Sequence, residues 1–276
     1  MKKKLRFLKK IWVLNFMRRI YYASKLFNKK YSQILKWGIK SKEDTNFTYD
    51  LTESNIICLA QTISVVTQKD YDIILQYINE ARNDSFLKET IINAIKNSPF
   101  RHVADLEINF GRRLGWYAFI RALKPKIIIE TGVDKGLGAV LICAAILKNK
   151  EEGFNGQYWG TDINPEAGYL LTGKYNEAGK ILYGDSIKSL SEFNGQIDLF
   201  INDSDHSIDY EYNEYLTIRN KLSKDAIILG DNSHCSDRLS LFSNATGRNF
   251  LFFDEQPKNH WFPGAGIGIS FNKKAS

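Results

Sequence analysis

Residues 126–138 read KIIIETGVDKGLG: a β-branched run, an acidic residue, then a turn holding three glycines. The run Lys126–Glu130 is short, apolar and bounded by turn residues, which predicts a buried strand. The amphipathic stretch Ala139–Lys148 behind it predicts a helix. A strand, a glycine-rich turn and a helix in that order open a parallel α/β sheet. Glycines at the turn let backbone approach a ligand held between strand and helix. Their spacing, G-x-x-x-G-x-G, is not the dinucleotide fingerprint G-x-G-x-x-G, and no G-K-[ST] follows to make a phosphate-binding loop.

Four more short strands are predicted downstream, over Tyr158–Thr161, Ile181–Tyr183, Ile197–Ile201 and Ala226–Leu229. Two further runs, Phe250–Phe253 and Gly266–Phe271, have no full helix between them and are expected to pair antiparallel at one edge. The first five strands each carry an acidic residue at or just past the carboxyl end: Glu130, Asp162, Asp185, Asp203 and Asp231. One such residue is an ordinary cap or turn former. Five in register on the rim where open parallel sheets bind ligands argue for a built site.

Each member of that rim has its own chemistry. Asp162, after the second strand, is placed to accept hydrogen bonds from a ribose diol, so a nucleoside ligand without pyrophosphate is expected. Asp203 and Asp231-Asn232 end neighbouring strands, and three oxygen-bearing side chains converging there suit a hard divalent cation such as Mg²⁺. Asp205 and His206 lie two and three residues past Asp203, either one placed to take a proton from a polarised hydroxyl. The plainer alternative is that Asp205 or Ser207 caps the helix that follows. His234 and His260-Trp261 face the substrate from the same rim or are loop residues. Arg112 and Arg113 meet an anionic group or are solvated. No role is assigned to His102.

Residues from about Gly111 to Phe271 resemble class I S-adenosylmethionine-dependent methyltransferases, and within them the metal-dependent O-methyltransferase branch that includes macrocin-type and cephalosporin-hydroxylase-like proteins. The resemblance rests on ETGVDKGLG at 130–138, YWGTDINPEAG at 158–168, LYGDS at 182–186, INDSDHS at 201–207, ILGDNSH at 228–234 and GAGIGISF at 264–271. It implies a Rossmann-like α/β sheet of seven strands with the last one antiparallel. It further implies that Glu130, Gly132 and Gly136 line the methionine side of S-adenosylmethionine, that Asp162 holds the ribose, and that Asp185 with Ser186 borders the adenine. Asp203 would lie between cofactor and metal, with Asp231 and Asn232 completing the ligand set. His206 is preferred over Asp205 as base because a neutral imidazole accepts a proton near pH 7. Asn232 stands where sugar-modifying relatives often have a second acidic ligand, which is closer to a catechol-type arrangement.

Upstream of the sheet, residues 46–110 read as helical and are expected to form a lid or dimerisation region. Thr52 caps a helix running to about Val66, Thr67 and Asp70 imitate a capping box, and a third helix spans about Phe86 to Lys96 before Ser98-Pro99. Residues 1–45 form a basic aromatic tail: positions 1–40 hold 13 Lys and Arg and no Asp or Glu, so the remainder of a chain whose net charge is +7 is acidic, at −6. An acidic body speaks against a nucleic-acid-binding fold. Trp12, Phe16, Tyr21, Tyr22 and Phe27 among those basic residues suit a helix at an anionic lipid surface, a solvated arm, or packing on a second subunit. The apolar stretch Ile11–Leu14 is too short for a secretory leader or a bilayer span. Cys58, Cys143 and Cys235 are few, odd and dispersed, which fits a cytoplasmic protein with neither disulfide framework nor zinc cluster.

The function expected is therefore S-adenosylmethionine-dependent O-methyl transfer, divalent-metal-assisted, to a hydroxyl of a saccharide, glycolipid or related small molecule. Two alternatives stand beside it: a relative that keeps cofactor and metal for hydroxylase-like chemistry, and a non-catalytic scaffold. The expected location is the cytoplasm, with peripheral membrane contact through residues 1–40 and homo-oligomerisation as further partners.

Overall fold

A computed structural model describes residues 11–44, 47–205 and 207–272. Its centre is a seven-stranded sheet in the order β3-β2-β1-β4-β5-β7-β6. The strands are β1 (Ile127–Thr131), β2 (Gln157–Asp162), β3 (Gly179–Tyr183), β4 (Ile197–Asn202), β5 (Leu222–Gly230), β6 (Asn249–Asp254) and β7 (Gly266–Phe271). β1 through β5 run parallel, and β7 alone is reversed, antiparallel to both β5 and β6. The expected edge pair is therefore present, with β7 slotted between β5 and β6. Chain order leaves β1 in one direction toward β2 and β3 and in the other toward β4 and β5. The strand order reverses at β1 and β4, and the crevice outside their carboxyl ends is where such sheets bind ligands.

Both faces of the sheet are covered. On one side α5 (Arg113–Leu123) and α6 (Leu137–Glu151) bury Trp116, Phe119, Leu141 and Ile142 against β1, β2 and β4. α6 is buried on nearly every side from Gly138 to Ile146 because sheet, α5 and the turn before β3 enclose it. On the other side α7 (Ser186–Glu192), α8 (Ile208–Ile218) and α9 (Arg238–Ala245) set Leu190, Tyr215 and Phe242 over Ile129, Phe200 and Ile228. Continuous apolar strands such as the IIIET of β1 are what a sheet buried on both faces requires.

The helical region before the sheet is α2 (Glu53–Thr67), α3 (Tyr71–Asn83) and α4 (Ser85–Asn97). Leu59, Ile63, Ile74, Ile78, Leu87 and Ile91 are fully buried and belong to the same core as α5 and α6. Thr52 caps α2 through Asn55 N at 3.3 Å, as expected. The capping box at Thr67 does not form. Gln68 takes a left-handed conformation that ends α2, the Thr67 hydroxyl turns back to Ile63 O, and Asp70 itself caps α3 through Asp72 N at 2.8 Å. The start of α2 and the residues just before it are laced to the β6–β7 loop: Thr52 N donates to Gln256 O, Asn55 Nδ2 to Asp254 O, and Lys258 N to Asp50 O.

α1 (Trp12–Lys40) is a 29-residue helix with no buried residue. It meets the body near its carboxyl end, where Trp37 packs edge-on against Trp261 at 5.3 Å and Lys30 Nζ donates to Trp261 O at 3.1 Å. None of the described helices is long and apolar enough to cross a membrane. Residues 1–10 of the basic tail lie outside the described residues.

Candidate active site

At the carboxyl ends of the parallel strands lies a cavity of about 470 Å³ lined by all five rim carboxylates, Glu130, Asp162, Asp185, Asp203 and Asp231. Gly132, Ser186 and Asp205 line it too. Parallel register and matched strand lengths bring together residues spread over a hundred positions of sequence.

The glycine-rich turn serves the protein as much as any ligand. Gly132 sits at φ +82° where β1 passes the end of β4, and a Cβ there would collide with the Asp203 carbonyl. Gly136, at φ +94°, does not line the cavity; its Cα face lies against Gly168, so a Cβ would approach that backbone to 2.9 Å. The turn is fixed to β2 through Asp162, whose carboxylate accepts Asp134 N and Asn164 N, both at 2.8 Å. Two backbone donors hold Asp162 in one orientation at the rim.

Glu130 is buried on β1 and accepts the Tyr158 hydroxyl. Burial pushes its pKa up to about 8, opposed by the Tyr158 bond and by the nearby Arg113 charge. Asp185 caps α7 through Lys188 N at 2.7 Å and also accepts the Tyr210 hydroxyl at 2.9 Å, so its rim position combines capping with cavity lining. Ser186 is held between Tyr210 and Glu214. Glu214, which the sequence does not mark, is fully buried beneath this wall and accepts from Thr131, Ser186, Asn202 and Ser204. Burial lifts its pKa to about 7 against those four donors.

The largest departure concerns the expected metal site. Asp203 and Asp231 do converge, but two arginines are there with them. Arg112 Nε pairs with Asp231, Arg113 lies 3.6 Å from Asp203, and Arg112 also donates its backbone N–H to Glu255 at 2.6 Å. Burial and the facing Asp231 push Asp203 well above the carboxylate range. Asp231 is equally buried, yet the Arg112 guanidinium prevails and holds it below its ordinary value. Two guanidinium charges thus occupy the surroundings that a divalent cation needs, and like charges this close repel strongly out of water. Among the described residues no group of three or more His, Cys, Asp and Glu is arranged to hold a metal ion. The residues present do not fit Mg²⁺. The side chain of Asn232, the third expected ligand, lies outside what is described; its backbone is in the short turn Asp231–His234.

Other expected residues separate from this cavity. Asp205 is exposed on the rim, and its Oδ1 accepts Ser207 N at 2.7 Å, so both readings of it hold at once. His206, the preferred base, lies outside the described residues. His234 Nδ1 contacts Asp231 O at 3.1 Å. His260 and Trp261 are not on the strand-end rim; they pack edge-on or tilted against Trp37 and Phe47 at α1. Arg112 and Arg113 are neither solvated nor free, being buried in ion pairs. Glu255 was not marked either. It joins Arg112 to the Tyr49 hydroxyl, 2.9 Å away, and accepts Ala265 N at 3.0 Å.

A family model described as a methyltransferase domain matches residues 129–233, the stretch that carries the five rim carboxylates. Over these residues the chain is similar to a methyltransferase. The fold of the chain is a Rossmann-like sheet of seven strands with β7 reversed. Similar solved structures include an S-adenosylhomocysteine-bound methyltransferase from Podospora anserina, 19% identical with TM-score 0.49 over 69% of this chain and 88% of that one. An O-methyltransferase from Streptomyces achromogenes involved in tomaymycin synthesis, in complex with S-adenosylmethionine, is 10% identical with TM-score 0.48 over 70% and 92%. A methyltransferase from Geobacter sulfurreducens is 14% identical with TM-score 0.47 over 66% and 90%. No curated protein matches the sequence.

Proposed function

We propose that the methyltransferase moves the methyl group of S-adenosylmethionine to a hydroxyl oxygen of a small molecule, with a saccharide or glycolipid as acceptor class. The observation that carries this reading is the strand-end cavity with its complete acidic wall. The cofactor's amino group is cationic and its ribose presents two donors, and the carboxylates that Arg112 and Arg113 leave unpaired are the matching surface. Asp162, pinned by two backbone amides, takes the ribose. Asp185 and Ser186 border the adenine. Glu130, Gly132 and Asp203 form the methionine end, and Gly136 acts only by holding the turn against Gly168.

Transfer breaks the sulfur–carbon bond and forms an oxygen–carbon bond in line. The departing hydroxyl proton goes to a base, either Asp205, which lines the cavity, or the neighbouring His206 of the chain. The protein's contribution is alignment, exclusion of water and the proton acceptor. Metal assistance by Asp203, Asp231 and Asn232 is left out of the proposal because Arg112 and Arg113 already neutralise the two carboxylates. The exposed basic and aromatic face of α1 supports peripheral contact with an anionic membrane, which would bring a lipid-linked acceptor close.

The test is calorimetric titration with S-adenosylhomocysteine. Binding near one per chain, lost in Asp162→Ala, supports the assignment. Well-folded protein that binds none overturns it.

A further inference from the structure

A second cavity, of about 910 Å³, opens between the carboxyl-terminal half of α1 and the β6–β7 loop. Lys29, Gln33, Lys36, Trp37 and Lys40 line it from one stripe of the helix, at the i, i+4, i+7, i+8 and i+11 spacing that puts side chains on a single face. His260, Trp261 and Lys258 line it from the loop, and Tyr49 from the segment before α2.

The charges in this cleft are unequally satisfied. Four carboxylates line it, and three are already engaged. Glu43 accepts the Thr48 amide and hydroxyl, Asp105 accepts the Ser41 hydroxyl and Lys42 N, and Asp50 is paired with Arg82 at 2.7 Å. Glu107 alone of the four remains without such a bond. Among the described residues, Lys29, Lys36 and Lys40 have no acidic partner. Lys258 shares Asp50 and Glu53 at 3.8 and 3.6 Å. Four lysines thus face four carboxylates, and the three lysines on α1 have ammonium groups in no ion pair, open to an added anion.

Its aromatic side is incomplete in another way. Trp37 Nε1, Trp261 Nε1 and His260 Nε2 are enclosed and have no hydrogen-bond partner. Three polar ring atoms unmet in one cluster mark a place where ligand or water oxygens are accepted after small side-chain adjustment. Indole faces beside unpaired ammonium groups recognise a ring that bears an anionic group.

The position is also informative. Tyr49 lines this cleft, its hydroxyl binds Glu255, and Glu255 binds Arg112, which lines the strand-end cavity. The two cavities thus share a wall of those side chains. We infer that the cleft beneath α1 anchors the anionic end of the acceptor, a ring compound bearing a phosphate or carboxylate, while its reacting hydroxyl extends toward the cofactor. This rests on the methyl-transfer reading above and narrows its acceptor class.

The test uses the full chain loaded with S-adenosylhomocysteine and titrated with glucose 6-phosphate, glucuronate and glucose, read by heat and by tryptophan fluorescence. Saturable binding of a charged sugar that weakens with salt, with glucose binding at least about tenfold more weakly, is the expected result. The two charged probes separate a phosphate from a carboxylate source. The double variant K36E/K40E, both positions exposed, should lose at least about tenfold in charged-sugar affinity with S-adenosylhomocysteine affinity unchanged. Equal binding of glucose, no saturable binding of either charged sugar, or a double variant that binds as tightly as wild type overturns the inference. Loss of S-adenosylhomocysteine binding by wild type would instead overturn the methyl-transfer reading, so the two failures are distinct.

Discussion

The two cavities of this protein stand a shared wall apart and hold their charges in different ways. The strand-end cavity is walled by five carboxylates held rigidly by backbone amides, hydroxyls and guanidinium groups. The cleft under α1 presents lysines without acidic partners and aromatic rings without hydrogen bonds. In the function proposed above, the first holds the cofactor and the second anchors the anionic end of the acceptor. The contrast extends to burial. Glu130, Asp231, Glu214 and Glu255 are enclosed, whereas Lys29, Lys36 and Lys40 are on the surface. Changes to the buried carboxylates are therefore expected to cost stability, and changes to the exposed lysines of the cleft to cost little.

The sharpest way to break that contrast is at the shared wall. Arg112→Ala leaves Asp231 and Glu255 buried without their cation, and the expected cost is about 3–5 kcal/mol of stability in urea unfolding. A loss under 1 kcal/mol would mean the carboxylates are balanced from elsewhere, with a bound cation the first candidate.

Glu214 provides a pH test of the buried wall. Its pKa is raised from 4.5 to about 7, so the folded state holds a proton that the unfolded chain releases earlier. That contribution to stability is full below pH 4.5 and is lost as pH rises through about 7. Glu214→Gln should therefore gain on wild type by up to roughly 3 kcal/mol between pH 5 and pH 8. A pH-independent difference between the two proteins in urea midpoints would show that Glu214 is ionised at no extra cost.

Asp162→Ala should weaken S-adenosylhomocysteine binding at least about 100-fold, since it removes charged acceptors for ribose and frees the Asp134–Asn164 turn. The same change should leave charged-sugar binding in the cleft within about twofold, because the two pockets have separate donors. Coupled losses would mean that the cavities act as one.

The smallest expected effect is that of Mg²⁺. Chelation or added Mg²⁺ should change S-adenosylhomocysteine affinity by less than about twofold, and titration with MgCl₂ should give no saturable heat, since Arg112 and Arg113 already supply the positive charge. Saturable binding abolished in Asp231→Asn would restore the metal reading.

Much of the fold was legible in the sequence. Short apolar runs ending in an acidic residue predict β1 to β5 to within a few residues, and their parallel order follows from the intervening helices. The reversed β7 pairing is expected from the missing helix between the last two runs. The rim carboxylates were legible for the same reason: they occupy fixed places relative to strand ends, and strand ends are local. Thr67 shows the limit even of local signals, since its capping motif lost to a helix stop at Gln68 and to Asp70.

What the sequence by itself determined is thus the alternation of elements and the side-chain chemistry at each strand's end, because backbone propensity and hydrophobic period act over a few residues. The tertiary structure decided which charges neutralise which. Arg112 meets Glu255 across 143 positions, and Lys30 meets Trp261 across 231. No spacing in the chain announces such pairs; they exist because α5 and the segment before α2 pack beside the β6–β7 loop. The same packing turned two expected metal ligands into arginine partners and set His260 and Trp261 in the cleft beneath α1, away from the strand-end rim.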